Sequence, residues 1–81
     1  MVDVLFDPLF KKKFHKIKDK FLKEKIMKQV KKIADNPDIG KPMKYTKKGT
    51  REVYVAPFRL SYKIRREDLI YILDFYHKDE Q

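Results

Sequence analysis

Arginine, lysine and tyrosine recur through the C-terminal half of this 81-residue chain: Tyr54, Arg59 and Lys63, then Tyr76, His77 and Lys78 just before its end. Cationic side chains hold phosphates and aromatic rings stack on bases, so this mixture suits RNA. Cysteine is absent, which removes disulfides, thiol nucleophiles and zinc–thiolate sites together. Two histidines are too few for a multi-histidine metal site, so no metal or other cofactor is expected.

These residues need a frame. Residues 3–6, Asp-Val-Leu-Phe, read as a short first strand. Asp7 and Pro8 have the N-cap and N1 character of a helix start, and Leu9, Phe10, Phe14 and Ile17 follow at helical spacing. Asp19 is placed to cap a second helix. Its Leu22, Ile26, Val30 and Ile33 form an i, i+4 stripe widened by Met27 and Ala34, with lysines opposite. Pro37 and Gly40 end that helix. Two amphipathic helices joined this closely predict an antiparallel hairpin. His15, among the lysines, reads as a surface residue without a role.

Beyond residue 42 the pattern turns to strands. Arg51–Val55 and Phe58–Ile64 alternate, with Ala56-Pro57 as the turn between them, and residues 65–68 make a second turn. Leu69–Phe75 is nearly continuous apolar, as a central strand would be. The expected fold is α+β: a first strand and a helical hairpin packed on one face of a small antiparallel sheet, all one domain over residues 1–81. Pleating then divides the sheet residues. With Val53, Val55, Phe58, Leu60, Tyr62 and Ile64 toward the helices, Glu52, Tyr54, Arg59, Ser61 and Lys63 face out. With Leu69, Tyr71, Leu73 and Phe75 inward, Ile70, Ile72, Asp74 and Tyr76 share the open face. The plainer reading is that any solvent face of a sheet is polar.

The net charge of +9 attracts polyanions or acidic proteins. A merely solubilising surface would have many charges near balance. The first ten residues lack the basic region and apolar stretch of a secretory signal, and no apolar run reaches membrane-spanning length. A cytoplasmic protein without a membrane partner is the default expectation.

Residues 41–64, followed by a hydrophobic strand ending in Tyr76-His77-Lys78, resemble the RelE/ParE superfamily of toxins from toxin–antitoxin pairs. The match lies in Pro42-Met43-Lys44, Gly49, Phe58-Arg59-Leu60-Ser61-Tyr62 and the terminal Tyr-His-Lys. It covers nearly the whole chain in order, through motifs that are individually short. The resemblance implies the RelE-like ribonuclease fold and a metal-independent endoribonuclease that cuts messenger RNA at the ribosome. In such enzymes the 2′-hydroxyl of the RNA attacks the adjacent phosphate. The protein positions the RNA, moves protons and stabilises charge. By the same resemblance Arg59 contacts the scissile phosphate through its planar fork, and His77 is the general acid. Lys78 stands in place of a catalytic arginine. Lys44 steers phosphate or acts as a base, and Lys41 sits where one subgroup has a glutamate base. Lys41, Glu52, Tyr54, Lys63 and Tyr76 would contact RNA.

The chain also departs from the family. Glu52 and Tyr54 hold positions where strongly active members have basic residues, so Glu52 is either a base or the mark of a weakened site. A tyrosine that many members place after the histidine is missing. Two rival functions follow: a ParE-like toxin that inhibits DNA gyrase, and a basic module that contacts RNA or the ribosome without cutting. The implied partners are a RelB-like antitoxin, acidic or amphipathic, together with the ribosome and messenger RNA.

Overall fold

Two aspartates set the helical hairpin. The Asp7 carboxylate accepts from the Leu9 N–H at 2.9 Å, and Pro8 opens α1 (Pro8–His15) where its missing N–H costs nothing. The Asp19 carboxylate accepts from the N–H groups of Phe21 and Leu22 and opens α2 (Lys20–Asp35). The computed structural model describes residues 2–43 and 49–77. Besides the helices these form β1 (Asp3–Phe6), β2 (Lys41–Pro42), β3 (Thr50–Val55), β4 (Phe58–Arg66) and β5 (Leu69–His77), with a 3₁₀ turn at Pro37–Ile39.

The strands make one sheet in the order β1-β5-β4-β3-β2. Pairing is antiparallel from β2 to β5, and β1 joins β5 in parallel, so the sheet is mixed. The parallel edge follows from connectivity. The chain leaves β1 through the hairpin and returns to the same sheet, which a parallel pair requires and a tight turn does not allow. β5 is interior, as its apolar run predicts.

The α2 stripe forms the core as expected: Ile26 and Ile33 are fully buried and Val30 is nearly so. They meet Val53, Val55, Leu60 and Tyr62 from the sheet. Each such aliphatic side chain contributes about 1.5–3 kcal/mol by leaving water. Met27, expected to widen the stripe, is 41 % exposed at its margin. Phe6, Phe10 and Phe14 stack in series at 5.3 and 5.6 Å, and Phe10 meets Phe75 edge-on. This aromatic column joins α1 to β5.

The expected phase of β5 is corrected. Ile70 and Ile72, assigned to the open face, are fully buried in the core, while Leu69, Tyr71 and Leu73 are half-buried. Phase shifts within the strand. Tyr62 pairs with Ile72 but Ser61 pairs with Asp74, so Leu73 is an extra residue in a bulge. The bulge lets Ile72 and Phe75, three apart, both face the helices. A second irregularity sets Arg65 outside the pairing near the β4–β5 turn. Strict alternation read along the sequence has no means of showing either one.

Candidate functional site

The continuous register of β3 and β4 builds the site. Tyr54 lies opposite Arg59, and Glu52 lies opposite Ser61. On the other side of β4, Arg59 lies opposite Tyr76. Opposed residues share a face, so Tyr54, Arg59 and Tyr76 form a row across three strands, with Glu52 one step along it. Val53, Val55 and Leu60, between these residues in sequence, point into the core. The hydrophobic alternation of β3 and β4 thereby fixes the polar row on the other face.

Glu52 ties the row together. The Arg59 guanidinium donates to Glu52 Oε1 at 2.8 Å, and the Tyr76 hydroxyl donates to Glu52 Oε2 at 2.8 Å. The carboxylate side chain is only 16 % exposed, against 36 % for that of Arg59. The bond from Tyr76 on β5 to Glu52 on β3 crosses β4, which explains why Ser61 on that strand is buried rather than exposed as expected. Tyr54 is 57 % exposed beside the row.

Next to this row lies an open hollow of about 460 Å³, lined by Lys41, Glu52, Tyr54 and Arg59 together with Gln29 and Ile39. It forms where β2 stops. β2 pairs with Arg51 and Glu52, and beyond them no strand among the described residues pairs with the outer edge of β3. Lys41 reaches the hollow because the turn before it is pinned from two sides. Tyr62 is fully buried. Its hydroxyl accepts from the Gly40 N–H at 2.8 Å and donates to the Pro37 carbonyl. Burial, more than any charge nearby, raises its pKa above the ordinary 10.0. From the other side, Arg51 donates to the Gly40 carbonyl at 2.7 Å. Sequence reasoning placed Tyr62 inward correctly but missed its hydroxyl, and it assigned Arg51 no part. Only the tertiary contact with residues 37–40 reveals both.

The expected site residues therefore divide. Lys41, Glu52, Tyr54, Arg59 and Tyr76 come together. Lys63 shares the open face of β4 but stands four residues from Arg59, about 13 Å along the strand. Lys44 and Lys78 lie outside the described residues. His77 is placed elsewhere. It pairs with Phe58, their rings meeting edge-on at 5.8 Å, and Phe58 in turn packs on Phe75. That is the face opposite the Arg59 side chain, because neighbouring residues of a strand alternate. Asp74, expected on the open face, forms an ion pair at 2.9 Å with Lys13 of α1. Among the described residues no three His, Asp or Glu side chains gather as metal ligands. At the row and its hollow, the chemical means brought together among the described residues are one guanidinium, one lysine, one shielded carboxylate and two phenols.

The model of the ParE toxin family, toxins of type II toxin–antitoxin systems, matches residues 4–81. Solved structures share the fold. The Escherichia coli RelBE toxin–antitoxin complex superimposes with a TM-score of 0.80 at 15 % identity, covering 95 % of this chain and 96 % of that one. The RelBE2 toxin–antitoxin complex of Mycobacterium tuberculosis gives 0.79 at 24 %, covering 95 % and 98 %. The heterotetrameric YoeB–YefM toxin–antitoxin complex of Staphylococcus aureus gives 0.73 at 26 %, with the same coverage. No curated protein matches the chain by sequence.

Proposed function

Because the chain belongs to the ParE family of toxins from type II toxin–antitoxin systems, we propose that it arrests growth by cutting messenger RNA at the ribosome, without a metal, through attack of the RNA 2′-hydroxyl on the adjacent phosphate. The observation that carries this reading is the Arg59–Glu52–Tyr76 constellation on the open face, with Tyr54 and Lys41 beside it. The RNA brings its own nucleophile, so the protein needs a cation for the phosphate and groups to move two protons. Arg59 takes the scissile phosphate and stabilises its developing charge. Glu52 accepts the 2′-hydroxyl proton as the new O–P bond forms. Tyr76 gives its proton to the 5′-oxygen as the old O–P bond breaks. Transfer from Glu52 back to Tyr76 across their 2.8 Å contact restores both groups. The products are a 2′,3′-cyclic phosphate and a free 5′-hydroxyl. The partner is an antitoxin of the kind bound to the RelE and YoeB toxins, and the expected compartment is the cytoplasm.

A second reading has its own support. Arg59 already holds an internal anion, and His77 faces away from it. Both features suit a toxin that binds its target without cutting.

Induced expression of the chain alone, with primer extension on a reporter messenger, decides between them. The proposal expects growth arrest and cuts within translated codons. Arg59→Ala should lower cleavage about 100-fold or more. His77→Ala should leave cleavage within a few-fold of the parent, since its side chain lies on the other face. Loss of cleavage in the histidine variant would return the general-acid role to His77. Arrest without cuts would establish the non-cleaving or gyrase-directed reading.

A further inference from the structure

The excess positive charge is not on the sheet. From Pro8 to Asp35 the helical hairpin carries eleven lysines against Asp19, Glu24 and Asp35, a balance of +8 out of the chain's +9. Part of that excess borders the Arg59 site. Another hollow, of about 340 Å³, lies between α2 and the end of β3, and Lys25, Lys28 and Lys32 line it. Gln29 and Tyr54 line both this hollow and the one beside Arg59, so the two meet there. The Lys25 ammonium donates to the Ala56 carbonyl at 2.9 Å, which ties α2 to the turn after β3 and fixes the walls of the hollow. Lys28 and Lys32 are exposed, and neither forms an ion pair among the described residues. They stand four residues apart on one helix face, with about 6 Å between their Cβ atoms. Successive phosphates of a single strand have a similar spacing.

We propose that this hollow is a flanking subsite for single-stranded RNA, and that a strand held at Arg59 continues past the end of β3 onto α2. Tyr54, exposed where the two hollows meet, stacks on the base next to the scissile phosphate. The Gln29 amide offers a donor and an acceptor to the edge of that base. Lys28 and Lys32 take the next two phosphates. An isolated lysine face would suit any polyanion. This one is continuous with a guanidinium and an aromatic ring, which together match phosphate, base and phosphate in turn. An acidic peptide would satisfy the lysines but would leave Tyr54 without a stacking partner. The inference rests on the proposed function for the presence of RNA at Arg59, and not on its cleavage.

The test measures binding of the full chain to a short fluorescein-labelled 2′-O-methyl oligonucleotide, by anisotropy over a range of salt. Lys28→Ser combined with Lys32→Ser should make the slope of log affinity against log salt shallower by about 1.4, at about 0.7 for each phosphate contact, and should weaken binding at low salt about tenfold or more. Lys12→Ser combined with Lys16→Ser removes the same charge at the same spacing from α1, and should change the slope by less than about half as much. Tyr54→Ala should weaken binding about fivefold or more with the slope unchanged. All five side chains are exposed, so the variants keep the fold. Equal effects of the two lysine pairs, an unaffected Tyr54→Ala variant, or no binding by the parent in about 50 mM salt would overturn the proposal. Polyglutamate bound as tightly as the oligonucleotide would overturn it too, and would assign the lysines to an acidic protein. The 2′-O-methyl strand cannot be cut, so failure of this subsite and failure of the ribonuclease reading in the primer-extension assay are read separately.

Discussion

At the scale of residues, Glu52 is the hub of the row, accepting from both Arg59 and Tyr76. Its carboxylate occupies the anion position between Arg59 and Tyr76 that an RNA phosphate would compete for. Replacing it should separate binding from chemistry. Glu52→Gln removes a charge that repels phosphate and releases the guanidinium. A partly exposed ion pair is worth at most about 1 kcal/mol, so affinity for a 2′-O-methyl oligonucleotide should rise by no more than about fivefold. Cleavage should fall by about 100-fold or more with the base gone. Fluorescence anisotropy and a single-turnover assay measure the two effects. Weaker binding would mean that Glu52 serves only to aim Arg59. Sequence pattern identified Glu52, Tyr54, Arg59 and Tyr76 as neighbours because strand alternation is local. It did not show that a single carboxylate joins two of them, since that bond spans three strands. The facing of His77 was not legible for a related reason: it depends on pairing with Phe58.

At the scale of elements, the short turn between α2 and β2 positions Lys41, and Tyr62 holds that turn. A Cβ at Gly40 would stand 2.4 Å from the Tyr62 hydroxyl oxygen and 2.6 Å from its ring. Gly40→Ala should therefore cost about 1–3 kcal/mol, as overpacking does, seen as a lower urea midpoint with unchanged slope. Tyr62→Phe removes the hydroxyl that serves Gly40 and Pro37 and should cost a similar about 1–3 kcal/mol. Combined, the two changes should cost less than their sum, because the clashing oxygen is gone. Strict additivity would show that the turn and the tyrosine act independently. The helices were legible almost entirely, since Asp7, Pro8 and Asp19 cap them through contacts two or three residues away. The two-residue strand β2 was not, because nothing local distinguishes Lys41-Pro42 from a loop. Its pairing with Arg51 and Glu52 makes it a strand.

At the scale of the whole molecule, the acid–base behaviour of the fold follows from its buried phenol. Burial raises the pKa of Tyr62 above 10.0, so the unfolded chain ionises first as pH rises. The stability contributed by the neutral hydroxyl is complete below pH 10 and is lost as pH climbs through the higher folded value. Tyr71 adds to the same trend, because its hydroxyl donates to Asp7 and that bond raises its pKa. Urea unfolding followed from pH 8 to 11 should show a decline beginning near pH 10, and Tyr62→Phe should flatten it. A flat profile in the parent would contradict the burial of the Tyr62 hydroxyl. Composition revealed the charge of the molecule but not its distribution. The imbalance lies on the helices, while Arg59 on the sheet is paired with an acid.

The bulge at Leu73 makes β5 two half-strands set out of step. The first half, with Ile70 and Ile72, is fixed by the core and by its parallel partner β1. The second half takes its phase from the one residue of slack between them. Were that slack absorbed by a slip against β4, Phe75 would stand across from Arg59 and His77 would turn outward, with Ile70 and Ile72 undisturbed. Deleting Leu73 outright would instead keep Tyr76 opposite Arg59. The strand thus holds a phenol and an imidazole in adjacent positions on opposite faces, and its one-residue bulge decides which of them shares the face of Arg59.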